Sequence, residues 1–383
     1  MSAGPPAPAA TGHPGGGVRR GRSAMIPVGI RFVVLGFAFT VPAGVFPQRP
    51  AAMAGYLLLV AAGCLALGAR RAAAARLTGP GFALLALGLA LLAAPWAIGL
   101  DDGPAVTASH LFGLAALAPA AALLNVGLTD LAARRWSGTR PVLGLQALLA
   151  AGNGVPPILL GLGIGVGPLL LVGALAAALA VLRAPRQIFA APADGPPAAL
   201  VARLAACAGL ATAVQLGLVS GAALVVPEHA DEVLLGAGLG MIAGRAAASL
   251  PAITPPRGVL VLLCLAGTAG LAVLPMVAGP VLVAVLAIGA TAAVAPIFPM
   301  LLGLGYAPGG VSRLGAPLII AASTGVAALA PGALQLAHRL APGAQRWILP
   351  ALGVLLAALV STLPWPRHAA APGNLHRGDA HVG

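Results

Sequence analysis

Residues 183–199 read Arg-Ala-Pro-Arg-Gln-Ile-Phe-Ala-Ala-Pro-Ala-Asp-Gly-Pro-Pro-Ala-Ala, the longest polar and proline-rich interruption between apolar segments of this 383-residue chain. A spanning helix cannot continue through it, because proline removes backbone donors and charges are costly in hydrocarbon. Upstream lie apolar segments at approximately 26–46, 51–69, 77–100, 111–132, 142–163 and 166–182. Downstream they fall at 200–226, 232–251, 257–277, 279–305, 314–336 and 346–365. Most are long enough for the roughly 20 residues a bilayer-spanning helix needs. The expected fold is therefore an all-α membrane protein with 12 transmembrane helices in two six-helix bundles, a 6+6 pseudo-repeat. One bundle covers 26–182, the other 200–365, and 183–199 forms a cytoplasmic linker. Residues 1–25, rich in Pro, Gly and Ala, are expected to be a disordered cytoplasmic tail, and 366–383 a second one.

Composition agrees. Hydrophobic residues make up 60% of the chain and charged residues only 8%, against about 45–50% and 25% in a soluble domain. Soluble globular, disordered and collagen-like classes are excluded. A secretory signal at the N-terminus is excluded too, because eleven further apolar segments follow the first.

The formal net charge of +13 comes from 21 arginines and no lysine. A nucleic-acid surface would cluster them on one face among polar or aromatic neighbours. Here they fall in small groups between apolar runs, so no nucleic-acid partner is expected. They serve instead as a topology code, since cytoplasmic loops retain basic residues. With the N-terminus inside, eighteen arginines lie on the cytoplasmic side and three (Arg49, Arg339 and Arg346) outside. One span more or fewer would invert every later loop and destroy that asymmetry. Both termini are accordingly expected to be cytoplasmic, in a multi-pass protein of the cell (cytoplasmic) membrane.

Proline and glycine mark helix breaks. The fifth segment holds Gly152-Asn153-Gly154-Val155-Pro156-Pro157, the tenth Pro296 and Pro299, and the eleventh Gly325 and Pro331. Interrupted helices in corresponding positions of two halves point to the midplane site of a transporter. The fourth segment carries Pro119.

Several of these stretches resemble a known family. Leu124-Asn125-Val126-Gly127-Leu128-Thr129-Asp130, Gln146 ahead of Gly152, Gly154 and Pro157, Gly240-Met241-Ile242-Ala243-Gly244-Arg245, Phe298-Pro299 and Gly325…Pro331 carry the likeness. Over about 26–365 the chain resembles a major facilitator superfamily transporter, most like the fucose-permease-type subgroup. The resemblance implies a two-bundle carrier working by alternating access. It also departs from the pattern. Gly63-Cys64-Leu65-Ala66-Leu67-Gly68-Ala69-Arg70-Arg71 keeps the basic end of the superfamily's gate motif and lacks its acid. No Asp or Glu stands in the middle of the first, fourth or seventh segment, where proton-coupled relatives carry one; the seventh offers Gln215.

The deep polar residues are nearly all neutral. Asn125, Gln146, Asn153 and Gln215 are the expected substrate contacts, because an amide has donors and acceptors to satisfy in hydrocarbon. The competing reading is interhelical bonding, worth about 0.6 kcal/mol each. Arg70, Arg71, Asp130 and Arg245 are the expected cytoplasmic gate; simple positive-inside anchoring, and for Asp130 an ion pair with Arg134 or Arg135, are the alternatives. Amide-only chemistry points to a small neutral or apolar solute. His110, Glu228, His229, Asp231, Glu232 and His338 are read as solvated outer-loop residues, with no metal site. Cys64, Cys207 and Cys264 show no ligand spacing and read as small core residues. No catalytic constellation is visible, and without lysine there is no Walker-type ATP site. Asp101-Asp102 alone would serve a membrane transferase, the remaining enzymatic alternative. The expected protein is a cofactor-free, monomeric secondary transporter whose partners are one small solute and the lipid bilayer; a non-transporting membrane sensor or degenerate transporter relative is the second reading.

Overall fold

A computed structural model describes residues 16–45, 50–68, 78–100, 102–135, 139–182, 198–250, 257–305 and 315–364. Helix dominates, and no strand occurs among the described residues. The helices are α1 (Gly16–Val45), α2 (Pro50–Gly68), α3 (Thr78–Ala97), α4 (Pro104–Arg135), α5 (Thr139–Gly161), α6 (Val166–Val181) and α7 (Ala198–Val225). They continue as α8 (Ala230–Ser249), α9 (Arg257–Val273), α10 (Pro280–Val294), α11 (Ile297–Gly305), α12 (Gly315–Ala327), α13 (Leu329–Leu340) and α14 (Gln345–Ser361). α1 begins at Gly16, inside the stretch expected to be an unstructured tail.

Eight helical stretches are long and apolar enough to cross a bilayer, two of them formed by the pairs α10–α11 and α12–α13. Three shorter apolar helices accompany them at Ile26–Pro42, Val166–Val181 and Gln345–Ser361. α8 carries Asp231, Glu232 and Arg245 and stands outside both groups. The chain is a multi-pass membrane protein.

Leucines face outward on the peripheral helices. Leu175 on α6 is 63% exposed and Leu262 on α9 is 65% exposed, which lipid tolerates and water would not. Only 33% of the α9 span is enclosed by protein, against 67% for α4 and 72% for α7. α4 and α7 are therefore central.

The packing repeats along the chain. α1 packs on α5 and α6, α2 on α4, and α3 on α4 and α6. Later, α7 packs on α12 and α14, α8 on α10, and α9 on α10 and α14. Under the correspondence this implies, the contacts α5–α8 and α2–α12 exchange places.

Without a hydrophobic driving force inside lipid, close backbone approach holds such helices together. Gly36 on α1 and Gly152 on α5 meet with no room for a side chain: a Cβ on either would run into a backbone carbonyl of the other helix, Leu149 or Val33. The expected break at Gly152–Pro157 is thus corrected. α5 runs unbroken through Gly152, Gly154, Pro156 and Pro157. In hydrocarbon, abandoning the helix would strand more backbone groups than two prolines remove.

The later interruptions are real. Pro296 lies between α10 and α11, and Pro299 sits in the first turn of α11. Ala328 separates α12 from α13; a proline ring at 331 crowds the carbonyl four residues earlier, that of Ala327, where α12 ends. Gly325 lies within α12 rather than at the break.

Candidate functional site

The site forms where α7 and α8 meet the broken end of α10. Gly236, Gly240 and Gly244 recur every fourth residue on α8, so they share a face. A Cβ on Gly236 would lie 2.6 Å from the Ala284 carbonyl, and one on Gly240 2.5 Å from that of Ile288. The two backbones touch. Arg245 follows the last of these glycines, about 22 Å along α8 from Ala230, and reaches the C-terminal end of α10.

Arg245 is 4% exposed. Its Nε donates to the Ala295 carbonyl at 3.3 Å and its Nη2 to Gln215 Oε1 at 3.2 Å. The guanidinium carbon lies 5.4 Å from the centroid of the Phe298 ring, within cation–π range. Gln215, on α7 and also 4% exposed, donates through Nε2 to the Val294 carbonyl at 3.4 Å. This amide has one possible orientation, since a guanidinium offers no acceptor and a carbonyl no donor.

The two carbonyls are available for a reason written in the sequence. A helix leaves its last carbonyls without intrahelical donors. Ala295 would otherwise receive the N–H of residue 299, which is a proline. The Pro296–Pro299 pair breaks the helix, and the break creates the acceptor that Arg245 uses.

An arginine stays charged at any physiological pH. Arg245 has no carboxylate partner among the described residues; the ion pair seen there is His229 with Glu232, at 3.8 Å. Its Nη1 is buried with no hydrogen-bond acceptor. The hydroxyl of Thr291, one turn before Ala295 on α10, is likewise buried and unpaired.

The remaining expected contacts lie in the first half. Asn125 on α4 is 6% exposed and Gln146 on α5 is 1% exposed, while Asn153 on α5 is half-buried. The side-chain oxygens of all three lack partners, as does the hydroxyl of Thr129, one turn beyond Asn125. No hydrogen bond joins these amides to one another or to Gln215. Asn153 adjoins Gly154, which meets Gly238 of α8.

Of the expected gate, Arg245 is not in a loop but buried with Gln215. Arg70 and Arg71 lie outside the described residues, as does the side chain of Asp130 on α4. No group of three metal-ligating side chains forms among the described residues. Glu228 is exposed, and so is Asp231 in the first turn of α8. Asp101 is not described, and Asp102 is exposed.

Sequence reasoning missed Phe298 as a partner of the guanidinium and the carbonyls of Val294 and Ala295. Pro299 was the available signal. It also missed Arg31, 3% exposed on α1, whose Nη2 donates to the Ala180 carbonyl of α6 at 3.4 Å.

No family model matches the sequence, and no curated protein matches it either. Solved structures do. One structure of the Escherichia coli fucose:proton symporter FucP superposes with a TM-score of 0.61 at 14% identity, over 89% of this chain and 98% of that one. FucP in an outward conformation gives 0.65 at 13% identity, over 88% and 98%. The fold is that of the major facilitator superfamily. The human organic anion transporter TETRAN shares it, with a TM-score of 0.63 at 16% identity over 89% of this chain and 99% of that one. Within this major facilitator fold, the Arg245–Gln215 pair belongs to the later half and the unpaired amides Asn125 and Gln146 to the earlier.

Proposed function

We propose that this protein is a secondary transporter that carries a small solute across the cytoplasmic membrane by alternating access. Counting α8 with the eight long and three shorter apolar stretches gives twelve spans. They divide into an N-terminal bundle (26–182) and a C-terminal bundle (200–365), with the linker and both termini in the cytoplasm, as the arginine distribution favours. The chain works as a monomer.

The observation that carries this reading is the exchange of α5–α8 for α2–α12 across otherwise repeated packing. Two bundles joined by a symmetric pair of helix contacts can rock, opening one side as the other closes. The solved neighbours are named as a fucose:proton symporter and an organic anion transporter, which supports carriage rather than catalysis. Asn125, Gln146 and Asn153 line the solute path from the first half, and Gln215 with Arg245 from the second. Arg70, Arg71 and Asp130 hold the cytoplasmic gate.

Proteoliposome flux is the test. Purified protein should move at least one solute, from a panel of sugars, organic anions and lipophilic cations, faster than protein-free vesicles. If none moves faster, the non-transporting sensor reading replaces the carrier.

A further inference from the structure

The expectation of a neutral or apolar solute rested on an inventory of amides. Arg245 was set apart as a gate residue, and its burial beside Gln215 changes that inventory. Three observations bear on it together. Arg245 as a whole is only 4% exposed. Its bonds go to neutral groups alone: Gln215 Oε1, the Ala295 carbonyl and the Phe298 ring. Its Nη1 is buried with no acceptor. A fixed positive charge in a low-dielectric interior is strongly disfavoured without an anion. An intramembrane ionisable group of this kind is a functional site whose counter-ion has to be named.

From this unpaired and immobilised charge we infer that Arg245 is the receptor for an oxyanion group, a carboxylate, sulfonate or phosphate, on the transported solute. The inference rests on the carrier reading and specifies its substrate class.

The geometry suits that task. Gln215 and Ala295 hold two edges of the guanidinium, so Nη1 is the arm left for a ligand, and Nη2 still carries a second hydrogen beside it. A guanidinium presents paired donors that match the two oxygens of an oxyanion. The Phe298 ring, its centroid 5.4 Å from the guanidinium carbon, excludes water from one side. Because Nη1 is enclosed, the anion reaches it when the halves part, which alternating access provides. The Thr291 hydroxyl, buried and unpaired on the same end of α10, is a further donor. Gln215 sets the selectivity: an acid there would neutralise the guanidinium from within the protein, and the amide leaves it available.

The test uses the full chain in detergent and in proteoliposomes. The probes are benzoate, succinate, methanesulfonate and glycerol 3-phosphate, the neutral partners benzamide, succinamide and glycerol, the sugars L-fucose and D-glucose, and the cation tetraphenylphosphonium. Binding is read as thermal stabilisation and transport as flux. The expected result is that at least one anion stabilises the protein and enters vesicles while the neutral and cationic probes do not. Arg245→Gln should raise its half-saturation concentration at least tenfold, and Arg245→Lys less. Gln215→Glu keeps the shape of the side chain and supplies an internal carboxylate. It should fold at least as stably as the parent and likewise raise the anion's half-saturation concentration at least tenfold, so a failure of Arg245→Gln to fold leaves a decisive variant. The inference is overturned if a sugar or cation is bound or carried with no anion bound. It is also overturned if an anion is handled equally well by Gln215→Glu. Binding of an anion without flux keeps the receptor and removes the carrier reading; neither binding nor flux with any probe removes both.

Discussion

Gly154 and Gly238 face each other across the α5–α8 contact: a Cβ on the first would lie 2.6 Å from the carbonyl oxygen of the second, and one on the second 2.5 Å from that of the first. The obstacle on each side is backbone, which cannot swing aside as a side-chain end would. This contact joins the two halves on one side, as α2–α12 does on the other. Replacing Gly238 with Ala should therefore destabilise the protein by about 1–3 kcal/mol, the range for overpacking. A melting midpoint in detergent that equals the parent's would show that the helices separate freely there.

Pro299 deprives the Ala295 carbonyl of its helical donor, and Arg245 takes that place at 3.3 Å. Pro299→Ala restores an N–H to the helix, so α10 and α11 should merge across residues 295–297. Slower hydrogen exchange in that segment, together with reduced flux, is the expected outcome. Unchanged exchange would mean that Pro296 alone maintains the break.

The two glutamines separate packing from binding. Gln215 Oε1 accepts from Arg245, whereas Gln146 Oε1, in a side chain 1% exposed, accepts from nothing. Removing one partner of a buried bond costs about 1–3 kcal/mol, while removing an unsatisfied group can be neutral or stabilising. Gln215→Leu should thus lower the melting midpoint. Gln146→Leu should leave it equal or raise it, yet weaken solute binding if the amide lines the path. A Gln146→Leu protein with lower stability and unaltered flux would make Gln146 a packing residue.

Topology is open to a simple check. Cys64, Cys207 and Cys264 are buried, so a cysteine-free background can be made with Cys→Ala changes. A single cysteine at Leu182 should then react with a membrane-impermeant maleimide only from the cytoplasmic side, and one at Leu162 only from outside; both positions are exposed. Labelling of both from one side would contradict the span count.

Much of the helix pattern was legible because apolar segments carry it directly. Apolar runs such as 51–69, 200–226 and 257–277 coincide closely with α2, α7 and α9. The limits came from three kinds of residue. The prolines of Gly152–Pro157 are a local signal for a break, whereas the continuity of α5 depends on lipid and on α1 packing against Gly152. The composition of residues 16–25 is that of a tail, yet α1 starts at Gly16. The motif that ends at Arg245 points to the cytoplasmic surface. The burial of that arginine depends on three glycines of α8 that bring α10 within backbone contact, and on Pro299 freeing a carbonyl. Such acceptors are backbone atoms and have no letter of their own in a sequence.

The central claim is that two bundles rock about a shared site, and distances between them report on it directly. Spin labels on cysteines at Leu162 and Met276 would measure the outer separation of the halves, and labels at Leu182 and Leu250 the inner; all four positions are exposed. In lipid, pulsed electron–electron resonance should show two populations at each pair. A solute that shifts the outer pair to shorter distance should shift the inner pair to longer distance. Distances that stay single, or that lengthen and shorten together, would contradict alternating access in this protein.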